Sequence, residues 1–318
     1  QVPDGELTRL LAGSWGHGPE ALGAFMRRDL DLLGTPNLGS LEHAVRTGRT
    51  EAIGRLLRLQ ESLLGPNDLA LVGVLIALMR ASEPEGLFDE KVRAALRAAE
   101  ILSNRFGPDD PSVLVCIEEA AVILALVGRA EEAVPLTERA CRIRDSIPIL
   151  ARDALINANG HRHLAWFYAL TGRTREAIPV YRQCCEDLTA AVGPDHHLVA
   201  LAEAGLAYCL VSAGPLEEAE LLSARALQVA QRLAATHSDQ LAHIRFVRGH
   251  VLMAMAQPKE ALGLLEQAWT PIYSNLWAGF VWRRVLIEDL VKACEALGDA
   301  GAADQWRARL GDSPSPPR

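Results

Sequence analysis

The chain has 318 residues and a formal net charge of −8, from 32 Lys and Arg against 40 Asp and Glu; 49% of its residues are hydrophobic, 23% charged and 5% aromatic. It is too apolar to be disordered as a whole and long enough for a sizeable core, and its acidic balance argues against nucleic acid or an anionic membrane as partner. Sparse β-branched and aromatic residues weigh against a sheet, and the longest apolar run, LALVGVLIALM at 69–79, is shorter than a membrane-spanning helix requires.

In chain order, residues 1–38 are irregular and predict a capping helical segment around PEALGAFMRRDLDLL. The chain begins with Gln1 and not Met, which reads as a processed or excised piece. A degenerate hairpin follows, LEHAVRTGRTEAIGRLLRLQ (41–60), for which an ankyrin-like helix pair is the rival reading. It runs into GPND at Gly65, a sequence that returns as GPDD at Gly107 and GPDH at Gly193. Gly-Pro-Asp stops one helix and offers an N-cap to the next, so these loops punctuate repeats.

Between the loops a second mark recurs. LVGRAEEAVP with Gly128, LTGRTREAIP with Gly172, VSAGPLEEAE with Gly214, MAQPKEALG with Ala256 and LGDAGAADQ with Gly298 are spaced 44, 42, 42 and 42 residues. Ala98, Ala140, Cys184, Ala226 and Ala268 keep the same register, small residues where two backbones approach closely. Each period reads as two amphipathic helices about a tight turn: Val113, Cys116, Ile117, Ala120, Ala121 and Leu124 form one apolar stripe, and the following helix opens acidic and closes with Arg. Pro135 and Pro179 are placed in the first turn or so of their helices, where a missing N–H costs least. Residues 39–310 therefore predict about six to seven helix hairpins, and 311–318 (GDSPSPPR) a disordered tail. The fold class is all-α, a solenoid of antiparallel hairpins.

The pattern of an aliphatic residue, Gly and then Ala, followed seven residues later by Ala or Cys, resembles the tetratricopeptide repeat. Its length of 42 residues, with GPDDP or GPDHH ahead, is similar to the kinesin-light-chain type. Residues 106–144 and 192–230 carry the resemblance most fully, and Leu164, Ala165, Tyr168, Ala177, Tyr181 and Cys184 fall on the family's core positions. The resemblance implies a right-handed superhelix whose first helices line a concave groove that takes peptides or helices of other proteins. The residues on that face are Asn159, Arg162, His163 and Trp166, then Tyr208 and Ser212, then His243, Phe246 and His250. Glu118, Glu119, Arg162 and His163 stand where kinesin-light-chain-type grooves present Asn, so no known peptide specificity carries over. The Lys and Asn set of a chaperone-tail clamp is absent.

Catalytic chemistry finds no support. His243 and His250 share a face at a spacing of seven but form no His-Glu-x-x-His pattern, and His161 and His163 diverge, so no metal is expected. His196-His197 reads as a loop cap, and Cys184 as a structural thiol among six reduced cysteines that lack a C-x-x-C pair. No phosphate-binding, dinucleotide-binding or nucleophile-elbow motif occurs. The reading is a cytoplasmic, non-enzymatic interaction module without cofactors that binds a protein or peptide ligand. The alternative is a sensory or regulatory repeat domain of a larger signalling protein, such as a bacterial kinase or NTPase regulator. Trp277, Phe280 and Trp282 form the densest aromatic cluster and, if exposed, would be covered by a partner or a second copy of the chain.

Overall fold

The computed structural model describes residues 57–58, 60–80, 88–233, 238–274 and 279–311. The expected N-terminal cap, nearly all of the degenerate hairpin, the acidic loop 81–86, Trp277 and the tail after Gly311 lie outside these residues, as does the side chain of Phe280. Among the described residues all regular structure is helical: α1 (Leu71–Arg80), α2 (Phe88–Phe106), a 3-10 turn (Pro111–Val113), α3 (Leu114–Leu126), α4 (Ala130–Ser146), α5 (Pro148–Arg152), α6 (Ala154–Leu170), α7 (Thr174–Val192), α8 (His197–Ala213), α9 (Leu216–Arg232), α10 (Ser238–Ala254), α11 (Pro258–Ser274), α12 (Gly279–Ala296) and α13 (Ala300–Gly311). No described helix is long and apolar enough to cross a membrane. The chain divides into two units, residues 1–124 with 135–157, and residues 125–134 with 158–318.

The repeat marks have one backbone cause. Gly65, Gly107 and Gly193 in the inter-repeat loops have φ of 87°, 109° and 83°, and Gly128, Gly172, Gly214 and Gly298 in the hairpin turns have φ of 82°, 73°, 108° and 80°. These left-handed values end a helix cheaply only where Cβ is absent. Ala256, in register with them, has φ 57° and is the one non-glycine residue among those described with positive φ. The residue three places after each loop glycine starts the next element: Asp68 Oδ1 accepts from Ala70 N–H (2.8 Å), Asp110 Oδ1 from Ser112 N–H (2.9 Å) and His196 Nδ1 from Leu198 N–H (3.3 Å). The prolines sit deeper than expected, since Pro135 and Pro179 are each the sixth helical residue. Each deletes one intrahelical bond, the one to the carbonyl of an exposed residue, Glu131 or Arg175.

In the first unit α1 packs on α2, and arginines two helices' width apart in sequence repeat one device. Arg97 pairs with Glu61 and donates to Pro66 O at 2.7 Å; 42 residues on, Arg139 donates to Pro108 O and to Ser103 Oγ (3.1 Å). Each loop is thus held by a guanidinium 31 residues further along the chain. Arg144 is 1% exposed and pairs with Glu118. Burial pulls its guanidinium down to about 10, against a smaller opposing effect of Asp145.

In the second unit each helix from α7 to α13 packs on its neighbours in sequence. The first helices of successive hairpins also touch directly, α8 on α10 and α10 on α12. Ala177, Ala219, Ala261 and Ala303 are fully buried at the hairpin contacts, and Cys184, Ala226 and Ala268 are at most 1% exposed. Gly205 lies against the Tyr181 ring so closely that an added Cβ would fall 2.3 Å from it. The far end is closed by Trp269 and Trp306, edge to face at 5.2 Å, with the Arg309 guanidinium 4.4 Å over Trp306.

Candidate functional site

Four first helices of the second unit, α6, α8, α10 and α12, carry the side chains that the repeat register places on one face. On α6, Asn159 Oδ1 accepts from Arg162 Nε (3.1 Å) and Nη2 (2.9 Å), and Arg162 Nη2 lies 2.9 Å from His163 Nε2. The i,i+3 spacing puts Asn159 one turn before Arg162, so the buried amide holds the guanidinium along its own helix. Trp166 is half-buried beside Phe167, with ring centroids 4.9 Å apart.

On α8, Tyr208 joins the next two hairpins. Its ring stacks on His250 (5.0 Å, 28°) and meets Trp282 edge-on (4.9 Å, 83°). His243 lies 5.2 Å from Trp282, and His250 Nδ1 is 2.6 Å from Oδ2 of Asp289, a carboxylate 2% exposed. One polar and aromatic layer thus spans α8, α10 and α12. Burial pushes the Tyr208 hydroxyl up to about 12, with Asp289 adding to it. His243 is pulled down to about 4 by burial, and the Arg162 charge adds to that, so the ring is neutral at physiological pH. Arg162 itself is lowered by burial.

Two expectations are corrected. Phe246 is fully buried, because Trp282 at the start of α12 folds over it (5.4 Å) and Tyr208, His243 and His250 ring it; it supports the face and does not line it. Trp282 is 6% exposed for the same reason, so it is spent inside the unit and offers no surface to a second copy of the chain. Ser212 is exposed at the end of α8, donating to Cys209 O (3.0 Å), apart from the aromatic layer. Asp289 was not singled out from the sequence; an Asp within the apolar run LIEDLV, one period after the α10 histidines, was the available signal. Cys184 donates to Ala158 O at 3.3 Å, and burial raises its thiol to about 12, as suits a structural residue.

The model of the tetratricopeptide repeat matches residues 162–198, which run from Arg162 through α7 to the start of α8. No curated protein matches the sequence. Among solved structures the chain is similar to BtubC (BKLC) from P. vanneervenii, at 19% identity and a TM-score of 0.51, over 74% of this chain and 96% of that one. It is also similar to a Rap protein complexed with Competence and Sporulation Factor, at 16% identity and a TM-score of 0.51, over 83% of this chain and 76% of that one. The matched repeat, the 42-residue register of left-handed turns and the stacked hairpins agree: the chain carries a tetratricopeptide repeat at residues 162–198 within an α-solenoid of helix hairpins.

Proposed function

We propose that this chain is a non-enzymatic module that binds a peptide or a segment of a partner protein along the face formed by α6, α8, α10 and α12. The observation that carries this reading is the layer of half-buried Tyr208, His243 and His250, anchored from behind by Phe246, Trp282 and Asp289, with half-buried Trp166 and the Asn159, Arg162 and His163 cluster on α6. Aromatic and His side chains whose rotamers are already fixed lose little entropy when a ligand lands on them. Arg162, His163 and Ser212 add polar contacts around the layer. A peptide array probed with the whole chain should show binding that Trp166→Ala or Tyr208→Ala weakens at least about tenfold, the loss of one well-packed aromatic anchor. Retained binding in both variants would remove the face from consideration. The second reading is a regulatory repeat domain within a signalling protein. It draws on the fold shared with the Rap protein, which was crystallised with Competence and Sporulation Factor.

A further inference from the structure

Arg162 differs from the other guanidiniums around it. Arg182, Arg225, Arg232 and Arg248 each meet a carboxylate, from Glu218, Glu203, Asp195 and Glu220. Arg162 is mostly buried, yet among the described residues it meets only the neutral Asn159 amide and the His163 ring. A cation removed from water and left without a counter-charge is costly, and hydrogen bonds from neutral acceptors recover only part of the loss. Among the described residues no carboxylate pairs with it: on α10 the facing titratable group is His243, held neutral by its own burial and by Arg162. From α7 the neighbouring titratable groups are Tyr181 and Cys184, and burial raises both, so they too are neutral. Asn159 fixes the guanidinium along α6, which leaves its remaining N–H donors, arranged as a fork, without a carboxylate among the described residues.

We propose that Arg162 is the receptor for an acidic side chain, Glu or Asp, of the peptide bound on this face. The proposal rests on the groove reading above and adds the ligand's chemistry to it. A side-chain carboxylate fits better than a C-terminal one, because Arg162 is recessed against its own helix and a carboxylate on a flexible stem reaches it without drawing the peptide backbone inward.

The test uses the whole chain and an array of acetylated, amidated decapeptides in which each Glu and Asp is paired with Gln and Asn, with free-C-terminus copies alongside. Wild type should select peptides with an acid at one fixed position, and changing that acid to its amide should weaken binding about 10–100-fold, the range for a charge-assisted hydrogen bond. In Arg162→Gln the acid-to-amide ratio should fall to about one while other contacts persist. Should that variant not fold, Arg162→Lys keeps the charge without the fork and should lower the ratio about threefold. Bound peptides without an acid preference, a preference that survives both variants, or a preference confined to free C-termini would overturn the assignment and leave the groove intact. A wild-type chain that holds no peptide at all overturns the groove reading and this one together.

Discussion

Ala256 offers a direct reading of what the repeat demands of its turns. At Gly172, Ala256 and Gly298 the backbone makes the same pair of bonds. The turn residue donates to the carbonyl three residues back (Ala169, 3.2 Å; Met253, 3.1 Å; Glu295, 3.0 Å), and the next residue donates to the carbonyl five back (Tyr168, 2.8 Å; Leu252, 2.9 Å; Cys294, 2.9 Å). Only Ala256 does so with a Cβ, at φ 57°. The left-handed conformation costs an L-residue roughly 1–2 kcal/mol, while a glycine's greater freedom when unfolded takes back about 0.4–1 kcal/mol. Ala256 is exposed, so packing does not enter. Ala256→Gly should therefore stabilise the chain by about 0.5–1 kcal/mol and raise the melting temperature by about 1–3 °C. Gly172→Ala is the reciprocal change: its added Cβ meets nothing within 4 Å, so the loss should match the gain in size. Far-ultraviolet circular dichroism during heating and urea titration reads both. An Ala256→Gly chain that melts below wild type, or a Gly172→Ala chain that loses nothing, would refute the reasoning.

Two further predictions concern buried charge. His243 is lowered to about 4 when folded, against about 6.5 when unfolded; above pH 6.5 both states are neutral and it does not affect stability, whereas below it the unfolded state binds the proton first. His243 should therefore cost about 3 kcal/mol as pH falls from 6.5 to 4, and a His243→Asn chain should show a flatter stability curve by urea titration across that window. Glu118→Gln leaves the buried Arg144 cation without its partner and should destabilise by about 3 kcal/mol. Adding Arg144→Met should restore much of that loss, which a double-mutant cycle in urea measures.

Much of the fold was legible because its demands fall on the smallest residues. Left-handed turns select Gly, and close helix contacts select Ala or Cys, so Gly172 and Gly214, or Cys184 and Ala226, declare their places without any neighbour being known. Where another residue meets the same demand, the trace is fainter: Ala256 marks its turn only through its register. The two extra residues between Gly128 and Gly172 announced an irregularity but not its form. The structure has α5 there in place of a Gly-Pro-Asp loop, with Asp153 Oδ1 accepting from Ile156 N–H (3.2 Å) to start α6. The candidate face was less legible. Helical periodicity places His243, Phe246 and His250 on one side of α10, but whether that side meets solvent depends on Trp282, 36 residues after Phe246, folding across it. The bonds of Arg97 and Arg139 to their loops were equally hidden, since a surface Arg in a helix has no local signature of its distant carbonyl partner.

The bond between His250 and Asp289 ties the second half of the candidate face to α12, close to the end of the described helices. Helical arrays open from their ends, where a hairpin has a neighbour on one side only. Loosening of α12 and α13 would carry Asp289 and Trp282 away together, uncovering Phe246 and freeing Tyr208 and His250 to turn. The shape of the candidate layer is therefore set by the stability of the terminal hairpin, and a change far from the proposed binding face, such as one in the Trp269, Trp306 and Arg309 closure, would act on the proposed binding by altering how often the array frays.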